Sequence, residues 1–498
     1  MVDKAESLVR DYSLLEFRLD YLKTPATFFP KLKKFLDMHP EATAIATCRR
    51  AVNGGRFRGT VAAQLAILLK AAACGCQFVD IELETADALK AADIEKLRRC
   101  STLVLSHHDF KHTKRLQETF GRMREHPADV FKIVTTATSL YDNVVMMKFL
   151  QEHSDRFQMV GLCMGEQGII SRVLGLRAGS VFTFAAATPG EETAPGQISA
   201  RELRDIYRIE QVDAATRVYG VAGDPISQSL SPVMLNAAFR RENVNAVFLG
   251  LHAKSIEDLL NCVQNIPIQG LSVTMPYKQE IVAELDNSDA LTQKVGACNT
   301  VVRSAEGKLY GFNTDVAGIV GPLEQKLALS GARILVIGAG GAARAAVFGL
   351  KARGAEVSIL NRTAANAQRL ARQSGAKTIK RTDLKKYQFD AIINATPLGM
   401  GTSKHTPLEQ KEIKAKYVFD LVYNPLETRF LKLAQAEGAN TISGIEMFVT
   451  QGARQFEIWT GKPAPLDEMR YVVTRELQRM TAEPASASTN GHGRKLKT

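Results

Sequence analysis

The chain has 498 residues, 45% of them hydrophobic and 23% charged, with a formal net charge of +12. That length asks for at least two domains and that composition for ordinary globular protein. With no apolar run of about 18 residues, no secretory h-region in MVDKAESLVRDY, and lysines and arginines spread without an aromatic-basic module, it argues against a membrane span, a secreted protein and a nucleic-acid partner.

Seven cysteines are scattered without a C-x-x-C pair. That pattern fits reduced thiols in a cytoplasm rather than a disulfide or zinc framework. The positive charge is accounted for by anionic small molecules, and part of it sits in the tail at 494–497.

Residues 1–12 read as a helix leading into a strand at 14–20. Further short apolar runs follow at 44–49, 78–83, 102–107, 130–135, 159–163 and 180–184, with helical stretches between them. Strand-then-helix repetition over about 200 residues predicts a parallel (β/α) barrel, with function on inward side chains and at the C-terminal strand ends. The polar residues follow that rule. Glu16, Arg18 and Asp20 share one strand face, as do Asp80 and Glu82. Arg49 ends the second strand, and Ser106-His107-His108-Asp109 ends the fourth. Lys132 interrupts an otherwise apolar strand. Desolvation and nearby arginines would push such a lysine toward the free amine that a Schiff-base nucleophile needs; an ion-paired or snorkelling lysine is the alternative. His107, His108 and His112 lack a second ligand cluster, so no metal is expected.

Glu16-Phe-Arg18-Leu-Asp20, Thr47-Cys-Arg49 with Gly54-Gly55, Ser106-His-His108-Asp-Phe110, Lys132, Met164-Gly165 with Ser171-Arg172, and Thr193-Ala-Pro-Gly-Gln197 occur in an order that resembles type I 3-dehydroquinate dehydratase over residues 1–212. The resemblance implies an imine between Lys132 and the substrate ketone. It implies His108 as the base that takes the adjacent C–H proton and returns it to the departing hydroxyl. It gives Arg172, Thr193 and Gln197 the substrate's carboxylate and hydroxyls, with Glu16, Arg18 and Arg49 framing the pocket. Two departures are notable. Asn53 stands where relatives often carry Glu, which makes Glu82 the candidate to orient His108. Seven strands are predicted instead of eight, which leaves two alternatives: the true start lies upstream, or the barrel lacks its first strand and closes imperfectly, with exposed strand edges.

A new unit starts near residue 216. Strand or turn ends carry polar clusters: Ser227-Gln-Ser229-Leu-Ser231-Pro232, Leu271-Ser-Val-Thr274-Met-Pro276-Tyr-Lys278, Gly296-Ala-Cys-Asn299-Thr300 and Gly311-Phe-Asn313-Thr314-Asp315. The paired serines suit either a helix cap or a polyol. Then Ile334-Leu-Val-Ile337 runs into Gly338-Ala339-Gly340-Gly341-Ala342-Ala343, a strand, tight turn and helix start of dinucleotide-binding type. The helix N-terminus there offers free N–H groups to a pyrophosphate. About 20 residues further on, the next strand ends in Asn361-Arg362-Thr363, where an NAD site would carry an acid. Arg362 suits a 2′-phosphate instead, which predicts NADP.

These clusters, together with Asn394-Ala-Thr396-Pro-Leu-Gly399-Met400, Asp420-Leu-Val-Tyr423-Asn-Pro425 and Gly444-Ile-Glu-Met447 through Gln451, resemble shikimate dehydrogenase. The resemblance implies substrate contacts at Ser229, Ser231, Thr274, Asn299, Tyr423 and Gln451. It places cofactor contacts along Gly338 to Ala342, at Asn361 to Thr363, and at Thr396, Met400 and Gly444, and makes Lys278 and Asp315 the catalytic pair. Lys278 would protonate the alkoxide formed as hydride from NADPH reaches the C3 ketone of 3-dehydroshikimate. The implied divisions are a substrate-binding domain at 216–317, a Rossmann-type NADP-binding domain at 318–450 and helices at 451–480 returning to the former. Residues 481–498 have no periodicity and are expected to be a disordered tail.

Together the resemblances imply an α/β chain in which a TIM-type barrel precedes a two-domain dehydrogenase. Its substrates would be 3-dehydroquinate, 3-dehydroshikimate and shikimate, on the route to chorismate and aromatic amino acids. The oligomeric state is left open between monomer and homodimer. A quinate dehydrogenase using NAD(H) is disfavoured by Arg362 and the paired serines. A non-catalytic quinate-responsive regulator is disfavoured because Lys132, His108, Lys278 and Asp315 are all present.

Overall fold

The computed structural model describes residues 1–482, so the predicted tail lies outside the described residues from 483 onward. The chain divides into two compact units, Met1–Ala214 and Ala215–Thr498.

The first unit is built on six parallel strands in sequential order, β1 (Leu14–Arg18), β2 (Thr43–Thr47), β3 (Phe78–Glu82), β4 (Thr102–His108), β5 (Val130–Thr136) and β6 (Gln158–Met164). Each is followed by helical segments, as a right-handed parallel sheet requires. The run at 180–184, predicted as a seventh strand, is not one. Its backbone makes a single bridge, Met159 to Ser180, with Val181 N donating to Met159 O at 2.9 Å. Phe182 and Phe184 pack against Val104, Val130 and Val160, and the segment leaves the ladder to fill the interior. Within the described residues β1 pairs only with β2, so the parallel sheet keeps two edges, in line with imperfect closure.

The second unit holds two six-stranded sheets. The first is mixed, in the order β10 (Asn287–Ser288), β12 (Leu309–Phe312), β11 (Thr300–Arg303), β9 (Ile268–Val273), β7 (Arg217–Gly223) and β8 (Ala246–His252). The second is wholly parallel, in the order β15 (Lys377–Thr378), β14 (Glu356–Leu360), β13 (Arg333–Ile337), β16 (Phe389–Asn394), β17 (Ala415–Asp420) and β18 (Asn440–Ile442). The reversal at β13/β16 is the switch point where doubly wound sheets bind ligands.

Strand alternation sends side chains to two faces, and each face has its own core. Ile334, Val336, Ala391 and Ile393 join one cluster with Ala343, Ala346 and Val347 of the helix Gly341–Ala352. Leu335, Ile337 and Ile392 join the other, against Phe430 and Leu431.

Two long helices close the unit, Gly444–Thr460 and Leu466–Ala482. They are separated at Gly461, which takes φ +68°, and by Pro463 and Pro465. The first of them returns to the mixed sheet. Trp459 Nε1 donates to Val301 O at 3.1 Å, and Gln455 Nε2 donates to Asn299 O at 3.0 Å.

Candidate active sites

In the first unit the charged residues of the strand faces converge at the C-terminal ends. Asp80, fully buried on β3, is the hub. Arg49 Nη2 donates to its Oδ1 at 2.9 Å, Ser106 Oγ donates to the same oxygen at 2.7 Å, and Lys132 Nζ donates to Oδ2 at 3.1 Å. Lys132 Nζ also stands 3.6 Å from the Phe184 ring centroid. Lys132 is therefore not left among arginines, as its strand suggested; it has a carboxylate partner on one side and an aromatic face on the other. Burial alone would raise the Asp80 pKa, but Arg49 and Lys132 outweigh it and hold the group below its ordinary value.

His108 ends β4 and lies in the field of the same cations. Burial, then Arg49 and Lys132, push its pKa well below the usual imidazole value, so the ring is neutral at pH 7. Its ring stacks on Phe110 with centroids 6.1 Å apart. Glu82, the candidate partner, is engaged elsewhere: it accepts from Arg50 N at 2.7 Å and from Gln64 Nε2 at 2.7 Å, and lies 3.7 Å from Arg49. Asn53 donates instead to Glu84 at 2.8 Å, and Glu84 lies 3.6 Å from Nδ1 of His107, not of His108. Among the described residues His108 Nδ1 has no hydrogen-bond partner.

Glu16 accepts from Thr47 at 2.7 Å, and Arg18 makes a two-point fork to Asp20, at 2.9 Å on each arm. Arg172 is 1% exposed and has no carboxylate beside it among the described residues. Its Nη2 reaches only Pro195 O at 3.3 Å, its Nε has no partner, and burial lowers its pKa to about 10. A buried guanidinium in that condition calls for an anion. Gln197 Oε1 accepts from Thr193 N at 2.8 Å and from its hydroxyl at 3.2 Å. This loop comes over the strand ends through Ala194, which packs on Val134, Leu162 and Met164.

In the second unit a cavity of about 550 Å³ lies between the two sheets. Ser229, Ser231, Thr274, Lys278, Asn299, Asp315, Tyr423 and Gln451 line it, together with Gly338 to Ala342, Asn361, Thr396 and Met400. Lys278 Nζ donates to Asp315 Oδ2. Asn299 Nδ2 donates to Asp315 Oδ1 at 2.7 Å, so both carboxylate oxygens are used and the carboxylate is fixed. Tyr423 stacks on Phe448 with centroids 4.2 Å apart, and burial raises its pKa.

Arg362, Thr363 and Gly444 are not among the lining residues. Arg362 and Thr363 are exposed beyond β14. Gly444 is pressed against backbone: a Cβ there would meet Val422 O at 2.4 Å. Sequence reasoning missed Gln228, Met275, Leu421, Val422 and Phe448, which also line the cavity. Gln228, Met275, Leu421 and Val422 directly adjoin polar residues of the motifs above, and all of the five but Gln228 are apolar, so nothing in the chemistry of those four apolar residues drew attention. Phe448, one turn before Gln451 on the same helix, was findable from helical spacing.

The glycine turn fits a dinucleotide. Gly338 takes φ +123°, and a Cβ on it would stand 2.8 Å from Ala395 O. A Cβ on Gly340 would meet no atom within 4 Å, because that position faces the open cavity where a pyrophosphate would lie.

A doubly wound lobe whose glycine turn faces a Lys–Asp pair across one cavity defines a dinucleotide-dependent dehydrogenase, here carried on one chain with a parallel-barrel unit. Models of four families match: type I 3-dehydroquinase over residues 1–214, the shikimate dehydrogenase substrate binding domain over 221–301, shikimate/quinate 5-dehydrogenase over 323–421 and the shikimate 5′-dehydrogenase C-terminal domain over 444–473. A chloroplastic bifunctional 3-dehydroquinate dehydratase/shikimate dehydrogenase of Arabidopsis thaliana is 35% identical over 488 residues, covering 93% of this chain and 79% of the relative. An NADP(+) shikimate dehydrogenase of Pyrococcus furiosus is 38% identical over 263 residues, covering 52% of this chain and 96% of the relative. A crystal structure of a shikimate dehydrogenase in complex with NADP+ superposes with a TM-score of 0.50 at 35% identity, covering 53% of this chain and 97% of that one. The chain belongs to the bifunctional 3-dehydroquinate dehydratase/shikimate dehydrogenase family. Among the described residues no helix is long and apolar enough to cross a membrane.

Proposed function

We propose that the first unit dehydrates 3-dehydroquinate to 3-dehydroshikimate through a Lys132 Schiff base, and that the second reduces that product to shikimate with NADPH. In the first step the Lys132 amine adds to the substrate ketone and water leaves, forming the imine. Asp80, bonded to Lys132 Nζ in the free protein, is placed to take the ammonium proton, to return it to the carbinolamine hydroxyl that leaves as water, and then, again a carboxylate, to face the iminium charge. Neutral His108 takes the proton from the carbon beside the imine and delivers it to the departing hydroxyl, which leaves as water. Hydrolysis of the imine frees the product and Lys132. Arg172 receives the substrate carboxylate, the counter-charge its buried guanidinium lacks.

In the second unit Ser229, Ser231, Thr274, Asn299, Tyr423 and Gln451 hold the polyol. Gly338 to Ala342, Asn361, Thr396 and Met400 hold NADP, with Arg362, Thr363 and Gly444 at its margins. NADPH bound there supplies the hydride. Lys278 donates the proton that the new alkoxide needs, and its positive charge steadies the oxygen while charge develops. Asp315, held by Asn299, keeps the ammonium aimed.

The observation that carries this reading is the single cavity in which the Lys278–Asp315 pair, the hydroxyl-bearing residues and the glycine turn meet. The free cysteines support a reducing compartment, the cytoplasm. The test is to supply the protein with 3-dehydroquinate and NADPH and follow the product: formation of shikimate with matching NADPH oxidation is expected, and no consumption of either would refute the reading.

A further inference from the structure

Arg344 is the fourth residue of the helix Gly341–Ala352, just past the glycine turn. It is only 9% exposed, and among the described residues no carboxylate pairs with it. Its Nε donates to Val295 O at 2.6 Å, and its Nη1 donates to Gln373 Oε1 at 2.9 Å. Its guanidinium carbon lies 5.6 Å from the Phe348 ring centroid. Burial, with Arg369 nearby, works against its charge. A buried cation satisfied only by neutral acceptors is an expensive way to fill this space, where a methionine would pack at less cost.

What Arg344 grips explains its presence. Val295 is the last residue of the helix Ala290–Val295, whose C-terminal carbonyls attract a cation. Gly296 follows at φ +64°, and a Cβ there would stand 2.9 Å from Arg344 Nη2. The next residues run directly into the Lys278 site. Cys298 N donates to Lys278 O at 2.7 Å. Asn299 Nδ2 donates to Asp315 Oδ1 at 2.7 Å, and Asp315 holds the Lys278 ammonium. The segment 295–299 is therefore fixed at one end to the nucleotide helix and at the other to the Lys–Asp pair.

We infer that Arg344 is a positioning residue for the reduction: it locks the segment 295–299, and through it Lys278 and Asn299, in register with the helix that carries the dinucleotide. It touches neither substrate nor cofactor. The inference rests on the reduction proposed above and adds to it a residue outside the cavity lining.

The test uses the full chain with Arg344→Gln and Arg344→Lys. Loss of register slows hydride transfer without loosening the cofactor, so turnover in the reduction of 3-dehydroshikimate should fall about ten-fold or more in Arg344→Gln. The dissociation constant for NADPH, read by its fluorescence, should change by less than about two-fold. The primary isotope effect with NADPH deuterated at the transferred position should rise, and Arg344→Lys, with one point of attachment instead of a fork, should fall between the two. Dehydratase activity of the same chain is the internal control and should not move. An unchanged turnover, or one that falls only in step with NADPH binding, would overturn the inference. Should Arg344→Gln not fold, Arg344→Lys decides alone: full turnover refutes, and reduced turnover with intact NADPH binding supports. A wild-type chain unable to reduce 3-dehydroshikimate would instead sink the underlying reading.

Discussion

Gly341 lies against the methylene stem of Lys278: a Cβ built on the glycine would stand 3.0 Å from Lys278 Cδ and 3.2 Å from its Cβ. The first turn of the nucleotide helix and the lysine proposed as proton donor thus share one van der Waals surface, and neither moves without the other. Gly341→Ala asks the lysine stem to give way by tenths of an ångström and should be mild. Gly341→Val adds methyls where the stem lies and should slow the reduction about 100-fold, as a displacement near 1 Å does. Steady-state rates of both reactions on the same chain check this, with dehydration unaffected.

Lys278→Met should slow turnover in the reduction by about 10²–10⁴-fold, the usual worth of a placed acid. Asp315→Asn keeps the Asn299 neighbourhood but removes the charge that aims Lys278, so a loss in kcat exceeding any change in KM is expected. Initial rates of reduction against substrate concentration separate the two.

His108 sets the pH behaviour of the dehydratase. Its pKa is depressed in the folded chain by burial and by Arg49 and Lys132, so it stays an unprotonated base as pH falls through about 6.5, the ordinary imidazole value. The pH profile of kcat/KM for dehydration should show no acid limb there and should decline only at distinctly lower pH. The same sign holds for stability: the unfolded chain binds the proton first, so this group favours unfolding progressively as pH drops below about 6.5. Stopped-assay profiles from about pH 5 to 8 are the check, and a limb at the ordinary value would count against a neutral buried base.

Arg362 is exposed beyond β14 and outside the cavity lining. If it meets the 2′-phosphate, Arg362→Gln should raise the KM for NADPH about ten-fold or more, the worth of a charge-assisted fork, and leave the KM for NADH unchanged. An equal rise for both cofactors would give Arg362 a structural role instead.

Much of this is legible in the sequence because local chemistry and long-range architecture agree. Ile334 to Ile337 and the glycine turn after them read as strand, turn and helix, and alternation there does send Val336 and Leu335 into separate cores. The polar clusters ending in Lys278, Asn299 and Asp315 are visible as clusters, although their convergence depends on strand order in the mixed sheet. The misreadings have physical causes. Phe182 and Phe184 alternate like a strand, but their rings serve the interior better than the backbone serves the ladder. Glu82 lies on the right strand face, yet Gln64 and Arg50 N claim it. Asp80 shares that face with no partner legible along the chain, because which cation reaches a buried carboxylate depends on neighbouring strands. Arg344 and Gly341 sit inside the motif with roles that only the packing of the helix on the substrate-side segment reveals.

Borohydride reduction in the presence of 3-dehydroquinate, followed by peptide mass mapping, tests most directly whether the first unit works through Lys132. The account predicts one stable adduct, on Lys132, and its loss in Lys132→Met together with dehydratase turnover. Turnover of 3-dehydroquinate with no adduct, or with an adduct on another lysine, would contradict it.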